Sequence, residues 1–137
     1  MITVELEHFS LDKICYSGQC FRMKKLGDGH FSMVAGDQYL EMRQKGGVVD
    51  FYCSQEEFIC YWVLYFDLDT DYETYMNAAN PRDKYLGAAI KAGDGIRILR
   101  QDLWEMIVTF LISQQNNIKR IRKCIETICR KYGERKV

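Results

Sequence analysis

The sequence predicts an α+β fold, with an antiparallel sheet first and helices after it. Three observations carry this. Up to Cys53, apolar and polar residues alternate in short runs separated by glycine turns. From Ser54 onward the apolar spacing lengthens to three and four, behind residues suited to capping helices. No repeat or linker interrupts the change, which falls near residues 66–70.

Ile2, Val4 and Leu6 alternate with Thr3, Glu5 and Glu7, a half-buried strand. Cys20 to Leu26 forms a second, closed by Gly27-Asp28-Gly29. His30 to Ala35 follows, with Phe31, Met33 and Ala35 on one face, and Gly36-Asp37 is a hairpin signal. Tyr39 to Gln44 runs to Gly46-Gly47, and Val48 to Cys53 completes an antiparallel meander.

Ser54-Gln55-Glu56-Glu57 then reads as a capping box, with Phe58, Tyr61, Trp62 and Tyr65 in a stripe behind it. Thr70 with Glu73 reads as another box, and Asn80-Pro81 as an N-cap followed by proline at the first helical position. Asp102 with Glu105 starts a helix from Leu103 to Ser113, apolar nearly all round and so expected to be buried on every side. Asn116 or Asn117 starts the last helix. There Ile118, Ile121, Ile125, Ile128 and Tyr132 recur at spacings of 3, 4, 3 and 4. Lys119, Arg120, Arg122, Lys123, Arg130 and Lys131 hold its other face.

At 137 residues, 47% of them apolar and 28% charged, the chain is the size and make-up of a globular domain. One proline and ten glycines exclude collagen-like or low-complexity disorder. The longest uncharged run, Met106 to Ile118, is thirteen residues and includes four amides, too short and too polar to span a bilayer. The opening Met-Ile-Thr-Val-Glu-Leu-Glu has neither a basic nor an apolar leader segment, so no secretion signal is expected. Net charge is zero, but residues 118–137 carry eight Lys/Arg against Glu126 and Glu134. Such asymmetry suits a basic end that meets a polyanion; on charge alone a solvated helix face is the better account.

Catalytic patterns are sparse. Asp67-x-Asp69-x-Asp71 opens like a calcium loop, but Tyr72 stands where a glycine is needed and Ala78 where a glutamate is needed. There is no G-x-S-x-G, P-loop or G-x-G-x-x-G, and two histidines (His8 and His30) make a histidine-based triad or metal site an unlikely design. Cys15, Cys20, Cys53, Cys60, Cys124 and Cys129 show no C-x-x-C spacing and are expected to be reduced, buried thiols. Two segments invite more than a structural account. Ser17-Gly18-Gln19-Cys20-Phe21-Arg22 sets a glycine just before a strand, where its backbone can approach a ligand or simply turn. Ser113-Gln114-Gln115-Asn116-Asn117 places four consecutive amides beside the basic helix, either as a connector or as base-edge contacts.

With Tyr65-Phe66-Asp67-Leu68-Asp69 and Gly95-Ile96-Arg97-Ile98-Leu99-Arg100-Gln101-Asp102, those two segments resemble the eukaryotic-type 8-oxoguanine DNA glycosylases of the helix-hairpin-helix superfamily. The last match runs on through Ile118-Lys119-Arg120-Ile121, and the four occur in order across most of the chain. The resemblance implies a sheet domain, 1–66 with its first helix, leading into a helical region, 67–137, that begins a glycosylase core. It implies base flipping and AP lyase chemistry on duplex DNA containing oxidised guanine, within base excision repair. It assigns Gly18 to lesion recognition. It assigns Gln115, Asn116 and Arg120 to the gap left by the flipped base and to the orphaned cytosine, with Asn117 and Lys123 on the same DNA-binding surface. The first of three family asparagines is Gln115 here.

In the family the catalytic lysine and aspartate lie downstream of the last match. No catalytic residue is therefore expected in these 137 residues, and the chain alone is expected to be inactive. No cofactor, metal or membrane is implied. The expected location is a bacterial nucleoid or a nucleus, and self-association is expected wherever the 103–112 helix is left uncovered. The competing reading is a non-catalytic nucleic-acid-binding module.

Overall fold

The computed structural model describes residues 1–135. Lys136, one of the eight basic residues counted above, lies outside them. The alternating runs become five strands, β1 (Ile2–Glu5), β2 (Met23–Gly27), β3 (His30–Ala35), β4 (Gln38–Lys45) and β5 (Val48–Phe51). They form one antiparallel sheet in the order β1-β5-β4-β3-β2. The meander is therefore β2 to β5, and β1 closes the far edge by pairing Ile2 with Phe51 and Val4 with Val49. β2 begins at Met23, three residues later than expected, because Gln19 and its neighbours are held by residues 97–101 instead of by β3.

Helices α1 (Leu11–Tyr16), α2 (Gln55–Glu57) and α3 (Val63–Tyr65) cover one face of the sheet, with Phe58–Trp62 joining the last two as a wide π turn. Helix α1 carries no full capping box and escapes the sequence pattern. Ser10 caps it alone, accepting from the Lys13 amide, while Leu11, Ile14 and Cys15 are buried. Ser54 caps α2 as expected, accepting from the Glu57 amide. Phe31, Met33, Leu40, Met42, Val49 and Phe51 from the sheet meet Trp62, Tyr65 and Phe66 in one core. Phe66 packs edge-on against both Phe9 and Phe51, at 5.6 and 6.0 Å between ring centres.

Helices α4 (Tyr72–Asn77), α5 (Lys84–Gly93), α6 (Leu103–Ser113) and α7 (Ile118–Tyr132) follow. Their starts correct two expectations. Asp71, not Thr70, caps α4, because the Thr70 hydroxyl is committed to Asp67. Asp83 caps α5, while Asn80 and Pro81 form the turn before it. Proline's fixed φ suits the second position of a turn as well as the start of a helix. Asp102 caps α6 and Asn117 caps α7, as the spacing predicts.

Burial corrects three more. No α6 residue is buried: Trp104 is 72% exposed and Phe110 63%. On α7, Ile121 and Ile125 are buried, but Ile118, Ile128 and Tyr132 are exposed. All six cysteines are free, yet only Cys15 and Cys20 are buried, and Cys60, Cys124 and Cys129 are exposed.

Arg97 locks the two regions together. Its buried guanidinium donates to the carbonyls of Glu7, His8, Asp67 and Thr70 at 2.9–3.3 Å, and lies 4.3 Å from the Tyr72 ring centre. A buried charge needs such saturation, and here two separate segments, 7–8 and 67–72, supply it. Asp67, in the left-handed region at φ 53°, takes two bonds from Arg100 at 2.9 and 3.0 Å and the hydroxyls of Thr70 and Tyr72. Burial alone would raise the Asp67 carboxyl, but Arg100 and the hydroxyls outweigh it and hold the group below the ordinary carboxylate range. Gly95 lets residues 95–102 approach α1, since a β-carbon there would fall 2.8 Å from Ser10 Cβ.

Candidate nucleic-acid interface

Gly18 sits on the bend after α1, exposed and at φ +80°, a conformation that favours glycine. Nothing lies within 4 Å of where its β-carbon would be. Among the described residues, no hydrogen bond uses its carbonyl. The bend is fixed by the next residue. Gln19 Nε2 donates to the Arg97 carbonyl at 2.9 Å, its Oε1 accepts from the Leu99 amide at 3.0 Å, and its carbonyl accepts from Gln101 at 2.8 Å. Gly18 is thus exposed on a tightly held loop, with no hydrogen-bond partner for its carbonyl among the described residues.

The amide-rich turn is built by its own side chains. Gln115 adopts φ 48°, allowing the chain to reverse between α6 and α7. Asn116 Nδ2 donates to the Ile112 carbonyl at 3.0 Å and its Oδ1 accepts from the Asn117 amide. Asn117 Oδ1 accepts from the Arg120 amide at 3.1 Å and closes the start of α7. Gln115, Asn117, Arg120 and Lys123 are exposed and Asn116 is half-buried. The free N-terminal amides of α7 and the exposed Lys119, Arg120 and Lys123 make this end electropositive.

One basic residue departs from the expected face. Arg122 turns toward the sheet and donates to the Cys15 carbonyl at 3.3 Å. It joins Tyr16 and Phe21, which flank Gly18, in a cleft between β2 and α7 that also includes Lys24 and Lys25. The cleft brings the neighbours of Gly18 to α7, but none of the six candidate residues lines it. In the 65–69 and 95–102 segments, Arg97 and Asp67 are spent on internal hydrogen bonds, Asp67 with Arg100, while Asp69, Arg100 and Asp102 are exposed.

Sequence spacing also missed one surface cluster. Glu7, His8 and Glu73 bring three donor atoms within 4.8 Å of one another, and Asp94 holds His8 Nδ1 at 2.7 Å. A hard or borderline divalent ion is the class that such donors suit. Nucleophiles are another matter. Burial pushes the Cys15 and Cys20 thiols up, so both stay protonated and unreactive. Every lysine among the described residues is exposed. No helix among them is long and apolar enough to cross a membrane.

A five-stranded antiparallel sheet is thus clamped to a helical region, with the Gly18 turn and the basic helix α7 exposed. The sequence pattern of the 8-oxoguanine DNA glycosylase N-terminal domain matches residues 1–107, and the chain belongs to that family. It is 26% identical over 147 residues to the N-glycosylase/DNA lyase of Saccharomyces cerevisiae, a match covering 96% of this chain and 39% of that protein. Clostridium acetobutylicum 8-oxoguanine glycosylase/lyase in its apo form is 37% identical, with a TM-score of 0.90 over 97% of this chain and 47% of the other. The same enzyme with double-stranded DNA carrying cytosine opposite 8-oxoguanine gives 38% identity and a TM-score of 0.89, over 96% and 45%. The chain spans under half the length of each of these relatives.

Proposed function

We propose that these residues form the lesion-reading, N-terminal part of an N-glycosylase/DNA lyase that flips and removes 8-oxoguanine from duplex DNA. Residues 1–66 serve as the sheet domain and 67–137 begin the glycosylase core. The site of action is wherever the DNA lies, in a bacterial nucleoid or a nucleus. The observation that carries this reading is the exposed Gly18 turn, whose carbonyl has no hydrogen-bond partner among the described residues and where even a β-carbon would meet nothing within 4 Å. Oxidised guanine bears a proton on N7 where guanine bears a lone pair. One fixed carbonyl attracts the first and repels the second, so a single backbone acceptor discriminates between them.

The other parts divide the remaining work. Gln115, Asn116 and Arg120 enter the gap left by the flipped base and read the orphaned cytosine, using groups that both donate and accept. Asn117 holds the start of α7, and Lys123 neutralises phosphate. The uncovered face of α6, with Leu103, Trp104, Ile107, Phe110 and Leu111 exposed, is the seat of the helices corresponding to the unmatched half of the relatives. Where those helices are absent, the face drives self-association.

Fluorescence anisotropy with a duplex carrying 8-oxoguanine opposite cytosine tests the reading. Weak binding at 50 mM salt that falls linearly on logarithmic axes as salt rises is expected. No binding, or binding indifferent to salt, would remove DNA from the account.

A further inference from the structure

We propose that Gln19 is a positioning residue for lesion recognition, whose side chain fixes the direction of the Gly18 carbonyl. This rests on reading Gly18 as the lesion acceptor. The Gln19 side-chain amide is held through both its oxygen and its nitrogen. It accepts from the Leu99 amide at 3.0 Å and donates to the Arg97 carbonyl at 2.9 Å. These are the alternate, same-side groups of one extended segment, which a neighbouring strand would otherwise take. Gln19 Nε2 also reaches Ser17 Oγ at 3.2 Å, and the Gln19 carbonyl takes Gln101 Nε2 at 2.8 Å. The residue after Gly18 is therefore bonded through both side chain and backbone, while Gly18 itself has no hydrogen bond among the described residues.

The segment that Gln19 grips is independently rigid. Arg97 is saturated by four carbonyls, and Arg100 is paired twice to Asp67. The segment stays in place without Gln19, whereas Gly18 does not. A glycine at φ +80° samples many conformations at low cost once its neighbour is released. Hydrogen bonds weaken steeply with misalignment, so a swinging carbonyl loses the contrast between an N7 proton and an N7 lone pair. Gln19 is thus placed to govern selectivity more than affinity, and more than folding.

The test uses the 137-residue chain with Gln19→Leu, Gln19→Glu and Gly18→Ala. One readout is NMR, through the Gly18 carbonyl carbon and amide resonances. The other is anisotropy with duplexes carrying 8-oxoguanine or guanine opposite cytosine. Gln19→Leu is expected to shift or broaden the Gly18 resonances while the sheet resonances stay in place. It is expected to erase any wild-type preference for 8-oxoguanine, with affinity for the guanine duplex and the salt slope unchanged. Gln19→Glu keeps the acceptor for Leu99 but loses the donor to Arg97, and should fall between. Unchanged Gly18 resonances in Gln19→Leu overturn the proposal, as does a shifted Gly18 with wild-type selectivity intact. Absence of any preference in the wild type overturns the reading of Gly18 instead, and the NMR arm still decides whether Gln19 sets the turn.

Discussion

Between Ile2 and Phe66 the apolar side chains of β3, β4 and β5 that face inward are covered by α1, α2 and α3, and several of them are wholly inaccessible. Between Tyr72 and Tyr132 the only buried apolar side chains are Leu99, Ile121 and Ile125, although α6 is far more apolar than α5 or α7. The first region satisfies its own pattern; in the second the apolar face of α6 is left uncovered among the described residues. An apolar stripe specifies that something must cover it, and does not say from which part of the protein the cover comes.

The contrast is sharpest in truncation energies. Phe51→Ala, in the wholly buried part of the sheet core, should cost about 3–5 kcal/mol and unfold much of the chain at ambient temperature. Phe110→Ala on exposed α6 should change stability by less than about 0.5 kcal/mol while reducing self-association. Urea denaturation with sedimentation velocity measures both, and similar losses at the two sites would erase the distinction between the regions.

Arg97 is the joint between them. Arg97→Leu leaves four carbonyls short of a charged donor and should cost roughly 2–3 kcal/mol. Amide hydrogen exchange should then rise at 67–72 and 95–102 well before the sheet. Uniform loss across both regions would mean that they unfold as one unit.

Asp67 gives the joint a pH dependence. Its folded pKa lies below the unfolded value, so its contribution is full above the ordinary carboxylate range and is lost as pH falls through the folded value. Wild type should therefore lose stability in acid more steeply than Asp67→Asn, which lacks the group throughout. Parallel acid limbs in the two proteins would rule out the Arg100 pairing as the cause.

The smallest effect expected is on the basic helix. Replacing Arg120 and Lys123 by Ala should leave the melting curve in place and lower the slope of log affinity against log salt by roughly one per lost phosphate contact. An unchanged slope would return both residues to a solvated surface.

What was legible in the sequence follows the same division. The β3 to β5 hairpins and the caps Ser54, Asp102 and Asn117 were readable because alternation, turns and capping are local signals. Thr70 and Asn80 misled because each sits beside a better cap, and only the fold shows that Thr70 is spent on Asp67. The burial expected of α6 is not met, because apolar composition alone does not supply a partner and none of its residues is buried. Gly18 and the amide turn stood out as segments without a structural need. Gln19 did not, because its partners lie 78 to 82 residues away and an isolated glutamine carries no pattern.

On the proposed reading, these residues read and hold the lesion but supply no group to attack the sugar. Schiff-base chemistry needs a desolvated amine at the sugar carbon, and every described lysine is exposed. Borohydride trapping tests this most directly, with the purified chain on a duplex carrying 8-oxoguanine opposite cytosine. The account predicts no covalent protein–DNA adduct and no strand cleavage. An adduct formed by the chain alone would contradict it and would locate a nucleophile among residues assigned here to recognition.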